Sequence, residues 1–580
     1  MGKPNSIRSR NRPPHALAGQ DQSTSRRGFF ARSGAALVAA PGLASVAQAQ
    51  SQALSRGGVG AGTVFQHGVA SGDPLADRVI LWTRATPPAK GEPGGNIATT
   101  WVVATDPRFA RVVAKGVAQA RASADHTVKI DVTGLSAGTT YYYRFGALGQ
   151  QSPIGRTRTL PSGADAQRLR LAVASCSNHA AGLFNAYRQI ARRADLDAVI
   201  HLGDYLYEYG PNVYGSQRVP DPPFEMVSLS DYRRRHAQYK ADVDSQAMHR
   251  QHPLIAIWDD HETTNDAWAD GAENHTEGAE GTWPVRVADA LRAYYEWMPI
   301  RQPDPSDPRR QQRAFRFGDL VDLTMLEQRL QARSQQLPAT IPVPGLGTGF
   351  VQAGPFLDPS RTLLGADQEA WLAARLRGSP ARWKLLGQGV MFAHLKISPA
   401  PLANGGGVFV NSDQWDGYQP ARDRLYDVLK GNTQHPPVSN CVVLTGDIHS
   451  GWASDLTQDP NNPNPATGGY DAATGEGSRA VEFVATSITS PGLNDPAGTT
   501  AAFLRSVNPH IKYIDLNRRG YNLLDITRER VVCEFWTVDT VVAASDVQTM
   551  NAAFEVGDGT NRLRPSAMTT PPAAPPALAP

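Results

Sequence analysis

Ala198-Val199-Ile200-His201-Leu202-Gly203-Asp204-Tyr205-Leu206-Tyr207 is a short apolar run that stops at a glycine and then delivers an aspartate and a tyrosine. The run has the length and composition of a strand, and the glycine lets the backbone turn tightly after it. Four further runs end the same way. Leu171 to Ser175 leads into Cys176 and Asn178, and Leu254 to Trp258 into Asp259, Asp260, His261, Glu262 and Asn265. Lys384 to Gly387 meets Gln388, and Val442 to Thr445 leads into Gly446, Asp447 and His449. Loops at the carboxyl ends of strands are where layered sheet proteins place their chemistry. Asp, Tyr, Cys, Asn and His together form a mixed hard and borderline donor set, better suited to a pair of hard divalent or trivalent cations than to structural zinc. The pattern therefore predicts a two-metal hydrolase.

Each motif also has a plainer reading. Gly203-Asp204-x-x-Tyr207 alone could be an N-capping aspartate with a packed tyrosine. As a site, Asp204 bridges two cations and Tyr207, one helical turn on, offers a phenolate, a strong ligand for ferric iron. Asp259-Asp260-His261-Glu262 could be an acidic helix start favoured by the dipole. Yet three acids around one histidine are costly to gather without a cation, so Asp260 is predicted as a ligand. His261 is then placed to protonate the leaving oxygen or to stabilise the transition state. Asn265 can offer a carbonyl oxygen to a hard cation such as calcium or to substrate, and is equally well an ordinary helix polar residue. Alternation in an extended segment puts Asp447 and His449 on one side. His67, His252, His435 and His510 read as lone structural histidines.

Taken together these residues resemble the calcineurin-like metallophosphoesterases and purple acid phosphatases. In those families an acid follows the first strand, then come Gly-Asp-x-x-Asp/Tyr, Gly-Asn-His-Glu/Asp, a lone His and Gly-His-x-His. Here Cys176 replaces the first acid and Asp260-His261-Glu262 stands for Asn-His-Glu. Gln388 falls where the lone histidine would be, and Gly446-Asp447-Ile448-His449 replaces Gly-His-x-His. Those departures are similar to the PhoD-like alkaline phosphatases, as are Phe65-Gln66-His67-Gly68-Val69-Ala70-Ser71-Gly72-Asp73-Pro74 and Trp258-Asp259-Asp260-His261-Glu262. The resemblance covers the chain beyond its leader. It implies phosphomonoesterase or phosphodiesterase activity at alkaline pH with Fe(3+) and Ca(2+). Cys176, Tyr207 and His449 would then serve iron, Asp204 would bridge, and Asp260 and Asp447 would serve calcium. The expected mechanism is in-line attack on phosphorus by a hydroxide that the metals activate, with His261 assisting the leaving alkoxide. Arg235 and Arg329 are candidates to hold the phosphate by a bidentate contact, although a solvated helix face is the plainer reading of either. Gln388 and His394 could approach the site or pack in the core. Two rival readings remain: a two-metal esterase for phospholipid or organophosphate esters, and a non-catalytic exported binding protein.

The rest of the chain sets the context. Ser25-Arg26-Arg27-Gly28-Phe29-Phe30, a mild apolar stretch and Ala47-Gln48-Ala49 read as a twin-arginine signal peptide over residues 1–49, which predicts a periplasmic or secreted protein handled by the twin-arginine translocation machinery. The full chain is formally +3. The leader's seven Lys/Arg against one Asp give it +6, so the remainder is −3 and no nucleic-acid surface is expected. No later stretch is long and apolar enough for a stable membrane anchor. Three cysteines are too few for a disulfide scaffold; Cys441 and Cys533 read as buried small hydrophobes. Short strands over 64–160, with Leu135, Gly138, Thr140 and Tyr142 resembling a tyrosine corner, predict a small all-β fibronectin- or immunoglobulin-like domain. Alternating strands and helices over 168–556 predict the α/β catalytic domain, a layered metallophosphoesterase β-sandwich flanked by helices. Residues 302–359 and 459–477 read as loops, and the Pro-rich tail 557–580 as poorly ordered or wrapped on the surface.

Overall fold

A computed structural model describes residues 63–87, 95–343 and 346–580; the segment 1–49, expected to be a twin-arginine signal peptide, lies outside them. All five predicted runs are strands: Arg168–Ala174, Ala198–His201, Pro253–Ala256, Trp383–Gln388 and Cys441–Thr445. The first three lie parallel and adjacent, with Ala174, His201 and Ala256 level. They form the centre of a ten-stranded sheet. The other two lie parallel in a seven-stranded sheet, together with Val321–Met325 and Ala480–Val484. The two sheets face one another. Leu171, Val173, Ile200 and Ile255 pack against Leu323, Leu385, Val442 and Leu444 in one buried core.

The alternate residues look outward. Ala172, Ala174, Val199 and Leu254 bury against helices Asn185–Ala191, Val243–Gln251 and Trp283–Trp297. On the far side Leu386, Cys441 and Val443 bury against helices Gly365–Gly378 and Gln419–Lys430. Strands buried on both faces read as continuous apolar runs, which is why the sequence displays them so clearly. Each fully buried Leu, Val or Ile contributes about 1.5–3 kcal/mol, so this four-layer stack is the main source of stability.

Four expectations change. Residues 302–359 are not all loop, since Arg313–Phe317 and Val321–Met325 are strands of the second sheet. The N-terminal all-β domain is present but is joined to the catalytic domain through a shared sheet. Val69–Gly72 pairs in parallel with Pro253–Ala256, and Arg78–Arg84 and Thr127–Thr133 extend the same ten-stranded sheet. Its sandwich is completed by Ile97–Ala104, Val112–Ala120 and Thr140–Ala147, which pack Val103, Tyr143 and Phe145 on Val79, Leu81 and Val128. The corner tyrosine is Tyr141, which accepts from Ser136 N at 2.8 Å, while Tyr142 donates to Ala577 O. Lastly, the catalytic domain does not end at 556. Gln548–Gly557 pairs with Leu563–Pro565, the outermost strand of the first sheet.

Candidate metal centre

The parallel register brings the carboxyl ends of the central strands to one edge of both sheets. Backbone bonds then knit the turns together. Cys176 N donates to Gly203 O at 3.1 Å, Ser177 N to Asp204 O at 2.9 Å, and Gly446 N to Gly389 O at 2.9 Å. A Cβ on Gly203, at φ +100°, would stand 2.5 Å from Asp259 Cβ, so only glycine allows this approach. Cys176, Asp204, Asp447 and His449 all hold positive φ, between +54° and +65°. Such backbone costs about 1–3 kcal/mol per residue and collects where function over-determines the structure. Tyr207 and Asn265 sit in turns rather than one helical turn beyond their partners, because no helix forms at 203–209 or 259–266.

Ligand atoms of Cys176, Asp204 and His449 all lie within 4.8 Å of one another, as do those of Asp204, Asp260 and His261. Asp204 belongs to both clusters, and all five residues are buried. Tyr207 Oη lies 3.0 Å from Asp204 Oδ2 and 3.1 Å from His449 Nε2, and accepts from Ser490 Oγ at 2.7 Å. His449 Nδ1 is held by Tyr214 Oη at 2.7 Å and Pro491 O at 2.9 Å, which leaves Nε2 on the side of Tyr207 and Asp204. Asp260 Oδ2 accepts from Asp266 N at 2.6 Å. Asp447 Oδ2 accepts from Gln414 Nε2 at 3.2 Å, and its Oδ1 lies 3.4 Å from Arg329. Asn265 is tethered through its backbone N to Glu208 at 2.7 Å and through Nδ2 to Glu273 at 2.9 Å.

The electrostatics are strained in the way a cation site is. Burial raises the Tyr207 phenol well above its usual value, and the nearby Asp204 and Cys176 raise it further. Burial and Asp204 also raise Glu262. That carboxyl accepts from Asp204 N, Tyr205 N and Asp259 N, so it secures the turns. Burial works to lower His261, but Glu208, Asp260 and Asp204 outweigh it and lift its pKa to about 10. Buried carboxylates repel one another unless positive charge neutralises them, and a thiol or phenol becomes an anionic donor only beside a cation. Around Asp204 the donors are the Cys176 sulfur and the His449 imidazole in one cluster, with the Tyr207 phenol beside them, and the Asp260 carboxylate and the His261 imidazole in the other.

Two expected phosphate ligands prove to be braces. Arg235 spends its guanidinium on the carbonyls of Tyr207, Asp221, Pro222 and Phe224. Arg329 is wholly buried and forks onto Asp259 at 2.5 and 3.1 Å, with Asp413 at 2.9 Å. Its bidentate capacity is taken by protein carboxylates, leaving none for a phosphate. Gln388 packs in an amide network with Gln328, Thr445 and Trp415. His394 is a core residue against Arg422 and Gln458 O, its pKa lowered to about 3 chiefly by burial.

Sequence reasoning missed Glu208, Tyr214 and Ser490. Glu208 Oε2 lies 2.7 Å from His261 Nδ1, while its Oε1 accepts from Asn265 N, Thr264 and Asn274. One carboxylate thus orients both the candidate proton donor and a candidate ligand. Its signal was position, one residue after Tyr207 in the sharpest motif.

Comparison with known proteins identifies the family. A family model described as PhoD-like phosphatase matches residues 171–535, and its N-terminal domain model matches residues 51–161. Alkaline phosphatase D of Bacillus subtilis (strain 168) is 36% identical over 519 residues, covering 87% of this chain and 83% of that protein. A solved structure of PhoD superposes with TM-score 0.77 at 34% identity, covering 88% of this chain and 94% of that one.

Proposed function

We propose, from the premise that this chain belongs to the PhoD-like phosphatase family and is a phosphoric ester hydrolase, that it is an exported alkaline phosphatase that cleaves phosphomonoesters and phosphodiesters at a centre of ferric iron and calcium. The relative's name, alkaline phosphatase D, supports the reaction class. Cys176, Tyr207 and His449 would hold iron, Asp204 would be shared, and Asp260, Asp447 and Asn265 would hold calcium. Such ions, when bound, lower the pKa of water and neutralise phosphoryl charge.

The protein's own groups do the rest. Tyr214 and Pro491 fix the His449 ring, the usual outer support of a ligating histidine. Glu208 fixes His261 through Nδ1 and favours its charged form, so the imidazolium can give a proton to the leaving oxygen. Arg329 balances Asp259, Asp413 and Asp447 from below. The observation that carries the reading is that Asp204 belongs both to the cluster of Cys176, Asp204 and His449 and to that of Asp204, Asp260 and His261.

The test is Asp204→Asn, assayed by elemental analysis and by turnover of a nitrophenyl phosphate beside its diester. Loss of both metals and of turnover is expected; survival of both would sink the two-metal reading. A tyrosinate-to-iron charge-transfer band in the purified protein would tie iron to Tyr207, and stoichiometric zinc without colour would overturn the metal assignment. Export through the twin-arginine route is proposed from Arg26 and Arg27, and Lys at both positions should hold the protein in the cytoplasm. Among the described residues no helix is long and apolar enough to cross a membrane.

A further inference from the structure

The centre opens through a mouth of about 20 Å³ between Tyr214, Asn411, Asp447, His449 and Gly492. Pro491 and Gly492 lead from it into a shallow groove of about 720 Å³, formed by the segments 491–498 and 513–519. The mouth has room for a water, whereas the groove has the size of a small-molecule subsite. Its two acids are already used. Asp495 accepts from Thr500 N and Ala501 N at the start of helix Thr499–Val507, and Asp515 accepts from Asn517 N and Arg518 N. Arg518 pairs with Asp515 at 3.1 Å on the open rim.

Arg519 is different. Its Nη1 donates to the carbonyls of Asn517 and Arg518 at 2.7 and 3.1 Å, and no carboxylate among the described residues forms an ion pair with it. A Cβ added to Gly492 would stand 3.3 Å from that Nη1, so the guanidinium lies against the glycine shared by mouth and groove. A half-buried guanidinium with no carboxylate in ion-pair contact, Asp515 acting on it only from a distance, is a receptor for an anion. Burial lowers Arg519 only to about 10, so it stays charged in mildly alkaline solution.

We propose that the groove receives the leaving group, and that Arg519 selects phosphate esters whose leaving group bears a second anionic group, a phosphate or a carboxylate. This rests on the phosphoesterase reading and adds a substrate class to it. The test compares kcat/KM for propane-1,3-diol bisphosphate, 3-phosphooxypropanoate and 3-hydroxypropyl phosphate, in the wild type and in Arg519→Met and Arg519→Lys. The wild type should prefer the doubly anionic esters by about tenfold, as expected of one additional charge-assisted contact. The preference should sit in KM, fall as salt is added, collapse toward unity in Arg519→Met and partly return in Arg519→Lys. Comparison of the bisphosphate with the carboxylate decides which anion is favoured. Equal wild-type rates on all three esters, or a preference insensitive to both salt and Arg519→Met, would overturn the proposal. The salt arm needs no variant to fold. Absence of hydrolysis of every ester would instead overturn the phosphoesterase reading.

Discussion

At the scale of single residues, the pair Glu208–His261 is the most exposed to test. Glu208 is buried, and its carboxyl is drawn below its usual range by His261 although burial pushes the other way. In Glu208→Gln the ring loses its hydrogen-bonded carboxylate and the largest of the charges that raise it, so its pKa should fall, with Asp260 and Asp204 still acting against burial. With His261 the proton donor, kcat should fall about 100-fold with little change in KM; equal loss in both would mark Glu208 as merely structural. The pH dependence follows with a definite sign. His261 is raised from 6.5 to about 10 in the folded chain. Its contribution in metal-free protein is therefore complete below about 6.5 and disappears as pH rises through about 10. Melting temperatures of chelator-treated wild type should decline between those limits, and Glu208→Gln should flatten that decline; parallel curves would refute the pairing. The ligand-type residues were legible because each follows an apolar run. Glu208 was not, since its place one residue after Tyr207 marks it only as a neighbour of the motif and does not announce its pairing with a histidine 53 positions later.

At the scale of elements, the decisive parts are the turns after the strands. The runs around Leu171, Ala198, Leu254 and Val442 were legible because strands covered on both faces carry uninterrupted apolar sequence. Val321–Met325 escaped because Asp322 and Thr324 interrupt it; both are buried, and Asp322 is met by Arg375 and Ser379. The turns misled for another reason. Spacings of three and four suggest a helical turn, whereas Asp204 and Tyr207 are brought within 3.0 Å by a loop with left-handed residues. Gly203→Ala should therefore be severe. Its Cβ would strike Asp259, and the cost should be about 2–4 kcal/mol with loss of bound metal. Gly134→Ala is the matched control, with φ +75° but nothing within 4 Å of the new Cβ, and should cost about 1 kcal/mol. Denaturant midpoints and metal content check both. Equal costs would mean that the close approach at Gly203 is unimportant.

At the scale of the whole molecule, the polar stretch after Pro161 reads as a linker between two domains, yet hydrogen bonds carry one sheet across that boundary. Pairing of Val69–Gly72 with Pro253–Ala256 joins residues about 180 positions apart, a contact that no local pattern encodes. The C-terminal tail reinforces the same seam. Thr569 N donates to Glu534 and Thr569 Oγ1 accepts from Arg170, both in the first sheet. Ala577 O accepts from Tyr142 of the N-terminal sandwich. Ala579 exchanges two hydrogen bonds with Gln251, and Pro580 O accepts from Arg250, at the end of helix Val243–Gln251. The tail is thus a strap across both domains, and its prolines lower the entropy lost in laying it down. Each net hydrogen bond contributes about 0.5–1.5 kcal/mol, so these six total about 3–9 kcal/mol and deleting residues 566–580 should lower the melting temperature by about 3–8 °C. None of the strap's partners is a candidate ligand, so metal content and turnover should persist. Hydrogen exchange should localise the damage, quickening in Thr140–Ala147 and Val243–Gln251 while the turns bearing Cys176 and Asp204 keep their protection. Quickening at those turns would instead show that the strap supports the centre itself, and unchanged exchange everywhere would show that it bears no load.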